Sequence, residues 1–203
     1  MYEKIRELAH KYGGRVVEWR RRIHRQPELS RQEERTSALA AEVLSGLGLE
    51  VRSRVGGHGV VGLLRGGGGD GRTVALRADM DALPMREETG LPYASEVDGV
   101  MHACGHDTHT AMLLGAACVL SELRDGLRGN VKFIFQPAEE LNPTGGAPGM
   151  IAAGVLEDPH VDALFALHVW PGYETGHIVA RAGPQMGASD RIYLTVEGKT
   201  AHG

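Results

Sequence analysis

The feature that most limits how this chain can fold is a set of short apolar runs, each ending in residues able to do chemistry. Residues 60–64, 73–77, 131–135 and 163–167 are β-prone, and the apolar stretch 111–120 between the second and third reads as a buried helix. Strands alternating with helices predict an α/β fold, a mixed central sheet with helices on its faces. Residues 131–135 read as a buried strand and 163–167 as a third interior one. Residues 60–64 and 73–77 flank Gly66-Gly67-Gly68-Gly69-Asp70-Gly71, which reads as a flexible hairpin loop, so this pair is expected to run antiparallel.

Upstream, Ile5, Leu8, Tyr12, Val16, Trp19 and Ile23 recur at helical spacing on one face. Gly13-Gly14 weakens the middle of this helix and Pro27 ends it. A second helical pattern carries Leu39, Val43, Leu44 and Leu47 until Gly46 and Gly48 break it. Residues 148–154 suit a short helix, and after Gly183-Pro184 residues 191–196 read as a fresh strand. The glycine run is the sole low-complexity stretch, and no internal repeat occurs.

Composition narrows the class. At 203 residues, 42% hydrophobic and 24% charged, the chain is globular, long enough for one full domain and part of a second. With 22 Lys and Arg against 26 Asp and Glu, the net charge of −4 offers no footprint for nucleic acid or an anionic membrane. A small-molecule or peptide partner is expected. No apolar run approaches the roughly 18–20 residues of a membrane span, and the charged start lacks a secretory apolar stretch, so a cytoplasmic setting is expected. Two cysteines, Cys104 and Cys118, are too few for a disulfide framework.

Chemically capable groups collect where strands end. Asp79 and Asp81 follow the run 73–77, Glu139 and Glu140 follow 131–135, and His168 follows 163–167. Sites in open α/β sheets form beyond the carboxyl ends of strands, so one crevice can receive all of them. His102-Ala103-Cys104-Gly105-His106-Asp107-Thr108-His109 lies just before the buried helix. A thiol, carboxylates and imidazoles converging there make a metal-ligand inventory.

Each group also has a plain reading. A lone cysteine is more often an inert buried thiol, and Cys118, inside the apolar helix, is assigned to packing. Cys104 differs because His106 stands two residues on and Gly105 permits a chelating bend. Adjacent acids are usually solvated, but Glu139 and Glu140 follow a buried strand and Pro137, where a cation would relieve their repulsion. His168 alone suits a core histidine; its strand-end position raises its standing. Asp79 and Asp81 flank Met80 and so share a face in extended backbone, where one can orient a ligand histidine or bridge metals. His10, His24, His58, His160 and His177 are read as surface or packing residues. The chemical rival is a thiolate–imidazolium pair of Cys104 with His106 or His109, which leaves the double acid without a role. Neither a nucleophile elbow nor a nucleotide-binding fingerprint is present.

At these residues the sequence resembles the M20 metallopeptidases, in the amidohydrolase branch of hippurate hydrolases, auxin-conjugate amidohydrolases and N-acetyldiaminopimelate deacetylases. The matching strings are Arg77-Ala-Asp-Met-Asp-Ala-Leu-Pro84, Met101-His-Ala-Cys-Gly-His-Asp-Thr-His-Thr110, Phe135-Gln-Pro-Ala-Glu-Glu140, Gly145-Gly-Ala147, Leu167-His-Val-Trp-Pro171 and Gly198-Lys-Thr-Ala-His202. The resemblance implies a zinc-peptidase-like catalytic domain over residues 1–187 and, at 188–203, the start of a smaller α+β dimerisation domain. It implies Cys104, His106, Glu140 and His168 as ligands of two divalent metals per complete subunit, zinc or manganese, with cobalt or nickel as further options. Glu139 is then the general base, Asp81 orients a ligand, and His202 reaches a partner subunit's site to polarise the substrate carbonyl. The implied reaction is hydrolysis of N-acyl or N-aroyl amino acids by metal-activated water in a homodimer, with neither nucleic acid nor membrane as partner. Family members are about twice as long by the same resemblance, so this chain corresponds to their front half, without a further histidine ligand near their C-terminus. Two alternatives stand beside this: an aminoacylase- or dipeptidase-like peptidase, and a non-catalytic metal-binding or dimerising module.

Overall fold

The six apolar positions of the N-terminal periodicity fall on one helix, α1 (Tyr2–Arg25), which runs through Gly13 and Gly14 without a break. This computed structural model describes residues 2–141, 144–187, 190, 192–200 and 202. Helix α2 (Glu34–Gly46) follows, then strands β1 (Glu50–Val55), β2 (Gly59–Arg65) and β3 (Thr73–Asp79). Helix α3 (His106–Glu122), strand β4 (Asn130–Gln136), helix α4 (Gly146–Ala152) and strand β5 (Ala163–Ala166) complete the order. No described helix is long and apolar enough to cross a membrane.

The sheet has the order β1-β2-β4-β3-β5, so β2 and β3 do not pair. The antiparallel hairpin expected there is replaced by an insertion: β4 lies between them, antiparallel to β2 and parallel to β3. The glycine run makes this possible by lying against the segment leading into β4. Gly66 N–H donates to the Gly129 carbonyl at 2.8 Å and Gly68 N–H to the Leu127 carbonyl at 2.9 Å. A Cβ on Gly66 would sit 2.1 Å from the Leu127 oxygen, so only glycine permits the approach. The loop is thus tied down rather than a free turn. Strand β1, absent from the sequence expectations, forms the true hairpin with β2.

The strongly apolar β4 takes the centre because its side chains fill both faces. Phe133 and Phe135 are fully buried with Leu44, Leu64, Met80 and Leu114 beneath the α1, α2 and α3 layer. Each such side chain contributes about 1.5–3 kcal/mol through burial. Ile134 points to the other face, among Val61, Ala75, Met150 and Val155. Cys118 is buried in the main core, as packing predicted. Helices α1 and α3 approach closely at Gly115, where a Cβ would meet Val16 Cγ2 at 2.6 Å.

Two strand expectations are corrected. Residues 163–166 form a strand, but β5 is the sheet edge beside β3, and Leu164 and Phe165 are exposed. Its apolar composition alone could not distinguish an interior strand from an uncovered edge. Over 192–196 no strand forms, and Ile192, Tyr193, Leu194 and Val196 are exposed; Arg191 lies outside the described residues. β-propensity reflects fit to a pleated, packed surface, and these exposed side chains have no such packing.

Candidate metal centre

Strands β4, β3 and β5 are mutually parallel, so their carboxyl ends open on the same edge of the sheet. The three segments leaving that edge carry Asp79 and Asp81, Glu139 and Glu140, and His168. The start of α3 brings in His106 behind Gly105, whose φ of 87° is open to glycine but strained for other residues.

Ligand-type atoms gather in three groups, each within 4.8 Å: Cys104, His106 and His168; His106, Glu139 and Glu140; and Asp79, His106 and His109. His106 belongs to all three. Its Nδ1 donates to the Asp81 carbonyl at 2.9 Å, with Asp81 Oδ1 at 3.3 Å. Its Nε2 is buried without a hydrogen-bond partner among the described residues. It faces Asp79 Oδ2 at 3.7 Å, Glu140 Oε1 at 3.8 Å and Glu139 Oε2 at 4.0 Å. Burial alone disfavours a charged imidazole, but the Asp81 hydrogen bond with Cys104 and Asp79 outweighs it and pushes the His106 pKa up to about 11. The pocket therefore draws a positive charge to Nε2, either a proton or a cation in its place.

His168 is poised the same way. Its Nδ1 donates to the Val169 carbonyl at 2.6 Å, while Nε2 lies 3.4 Å from Cys104 Sγ. An imidazole whose Nδ1–H is held by a carbonyl presents Nε2 as a ligand, the usual posture at metals. The thiol rival is narrowed by the same contacts: Cys104 has His106 and His168 beside it, while His109 joins no group with the thiol among the described residues. His109 has both nitrogens engaged, Nδ1 with Asp79 Oδ1 at 2.6 Å and Nε2 accepting from Val169 N–H at 2.9 Å.

The acids are set by their surroundings. Burial opposes ionisation of Asp79, yet the hydrogen bond from His109 and the Arg77 charge hold its carboxyl far below the ordinary range. Asp81 is likewise lowered against burial, by His106, by Ser30 Oγ–H at 2.6 Å and by Glu140 N–H at 3.0 Å. Glu139 moves the other way: burial and the Glu140 carboxylate push it up. A carboxylate with raised proton affinity suits a proton carrier.

The donor set fits a pair of divalent cations. It combines one thiol, two imidazole Nε2 atoms and two carboxylates around a buried, unpartnered nitrogen, a mixed set compatible with zinc, manganese, cobalt or nickel. Of the sequence candidates, Cys104, His106, Glu139, Glu140, His168 and Asp81 are brought together. His202 is exposed on a segment without regular structure and joins none of the three groups.

Several supporting residues were not anticipated. Glu33 is buried, and its Oε1 accepts from Ala138 N–H at 2.7 Å, gripping the left-handed residue just before Glu139. Ser30 fixes Asp81. His24, read as surface or packing, is instead buried in an ionic network: Nδ1 lies 2.7 Å from Asp107 Oδ2 and Nε2 3.2 Å from Glu87 Oε1. No local spacing joins these partners, which stand 51 to 105 positions apart; of His10, His58, His160 and His177, His58 is half-buried and the rest are exposed.

Known proteins share this arrangement of sequence. The chain is 48% identical over its whole length to thermostable carboxypeptidase 1 of Saccharolobus solfataricus, and spans 51% of that protein. It is 47% identical over 99% of its length to an N-acyl-L-amino acid amidohydrolase of Geobacillus stearothermophilus, spanning 53% of it. The chain thus spans about half the length of the curated relatives it matches. Among solved structures, the Bacillus subtilis YXEP protein, described as a dinuclear metal binding peptidase from the M20 family, superposes with a TM-score of 0.74 at 43% identity. That match covers 80% of this chain and 44% of the other. The model of peptidase family M20/M25/M40 matches residues 75–200, from β3 through the ligand-bearing segments, and the chain belongs to that family.

Proposed function

We propose that this chain is the metal-binding portion of an amidohydrolase that cleaves N-acyl or N-aroyl amino acids. The observation that carries the reading is the position of His106 Nε2, shared between a thiol–imidazole side, Cys104 and His168, and an acid side, Glu139 and Glu140. Cys104, His106, Glu140 and His168 would hold two divalent cations, zinc or manganese, with cobalt or nickel as options. Bound there, such ions lower the pKa of water and polarise an acyl carbonyl. Glu139, its proton affinity raised by burial and by Glu140, takes the proton of the attacking water on its carboxylate and returns it to the leaving amine. Asp81 holds His106 by Nδ1 and Glu140 by its backbone N–H, which keeps both sides in register. Residues 1–187 belong to the catalytic domain and 188–203 open a second, dimer-forming domain, from which His202 reaches the partner subunit's site. A homodimer in the cytoplasm completes the proposal.

The test is elemental analysis paired with hydrolysis of hippurate and N-acetyl amino acids, on this chain and on a form extended to the length of its relatives. Two metals and turnover in the extended form are expected. Glu139→Gln there should lower turnover by about 10²–10⁴-fold while sparing metal content. Full activity in that variant would remove Glu139 as base, and no metal in either form would remove the ligand set. The name of the Saccharolobus relative favours a second reading, a peptidase acting at a carboxyl-terminal residue. A panel of dipeptides against N-acyl amino acids separates the two.

A further inference from the structure

The motif residue His109 has no part in the mechanism above, yet it is buried, and hydrogen bonds take both of its nitrogens. Resting on the reading of His168 as a ligand, we infer that His109 is a positioning residue, a tautomer-locked latch that fixes His168 opposite Cys104. Val169 N–H donates to His109 Nε2 at 2.9 Å, so that nitrogen must present its lone pair and the imidazole proton stands on Nδ1. There it meets Asp79 Oδ1 at 2.6 Å. Asp79 is held in turn by Arg77 Nη1 at 2.6 Å, and Arg77 is clamped by Gln136 on β4.

The other end of the Val169 residue completes the relay. Its carbonyl accepts from His168 Nδ1 at 2.6 Å, leaving His168 Nε2 toward Cys104. Both backbone polar groups of Val169 are therefore used, one to anchor the segment to α3 and one to aim His168. The His109 and His168 rings lie edge to face at 4.6 Å. This matters because His168 itself is exposed and, among the described residues, is aimed by a backbone carbonyl and not by a carboxylate. A direct ligand role for His109 would require Nε2 to release Val169.

Asp79→Asn discriminates the latch from simple packing. The Asn side chain keeps the shape, but Arg77 claims its oxygen and its NH₂ faces His109 Nδ1. The imidazole proton is then driven to Nε2, against Val169 N–H, donor facing donor. Long-range ¹H–¹⁵N spectra of the metal-free full chain read the tautomer directly: wild type is expected to carry the His109 proton on Nδ1, and Asp79→Asn to shift it to Nε2. Zinc affinity, measured by competition with a chromophoric chelator, should fall by about 10–100-fold in Asp79→Asn and in His109→Leu. A wild-type proton on Nε2, or unchanged zinc affinity in both variants, overturns the latch. If His168→Ala binds zinc as tightly as wild type, the ligand assignment fails instead, and the tautomer spectra still decide whether His109 holds Val169.

Discussion

His106 and His168 both leave Nε2 toward the candidate metal centre, and the protein holds them in opposite ways. His106 is fully buried at the start of α3, with Asp81 behind it and Asp79, the last residue of β3, beside it. His168 sits beyond the edge strand β5, exposed, aimed by its neighbour's carbonyl and secured through Val169 to His109. One imidazole is part of the core's electrostatics; the other is attached to it by a short chain of hydrogen bonds. The centre thus has one wall fixed within the core and one tethered at the sheet edge, so stability and metal affinity should respond differently on each side.

The largest effect is expected from His106→Ala. Asp79 keeps His109 and Arg77, and Asp81 keeps Ser30 and the Glu140 N–H, but both carboxylates lose a charged neighbour inside the core, where breaking a buried pair costs up to about 3–5 kcal/mol. Urea unfolding should show it, together with loss of metal uptake; an unaltered midpoint would break the contrast. Next comes Gly105→Ala, at the seam between the two sides. Its left-handed backbone costs about 1–2 kcal/mol for a non-glycine residue, and the new Cβ would stand 2.4 Å from Val169 Cγ2. Adding Val169→Ala should recover the steric part alone, which a double-mutant cycle on thermal stability reads.

His168→Ala should change stability by no more than about 0.5 kcal/mol, as for an exposed side chain, yet lower metal content; equal stability loss on both sides would erase the distinction. The smallest effect is a pH dependence confined to the fixed wall. The hydrogen bond to Asp107, aided by Glu87 and opposed by burial, raises the His24 pKa above its ordinary 6.5. A raised histidine adds stability that is fully present below that ordinary value and is lost as pH rises through the folded-state pKa. Unfolding free energies from pH 6 to 9 should therefore decline in wild type by a component that His24→Gln lacks. Parallel pH curves would show that His24 contributes nothing there.

Much of this was legible in the sequence because it is local. Helical spacing located α1 and α2, and the apolar run after His106 located α3. Polar residues at three strand ends pointed to one crevice, and the parallel β4, β3 and β5 carry them there. Strand pairing was not legible: a glycine run between two β-prone segments has the form of a hairpin whether or not another strand slides between them. Edge or interior position was equally hidden for 163–166, since apolar composition records what a strand can bury and not what covers it. The supports Glu33, Ser30 and His24 carry no signal at all, being acids, hydroxyls and imidazoles of ordinary context whose partners lie far along the chain.

By itself the sequence determined which residues can bind, carry a proton or pack, because those capacities belong to side-chain chemistry and to spacing within a few turns. The tertiary structure decided that β4 enters between β2 and β3, that His106 becomes the point shared by thiol and acids, and that His109 faces Val169. Those outcomes depend on burial and on contacts between distant segments, and burial is what turns an ordinary imidazole or carboxylate into one with a fixed proton and a fixed direction.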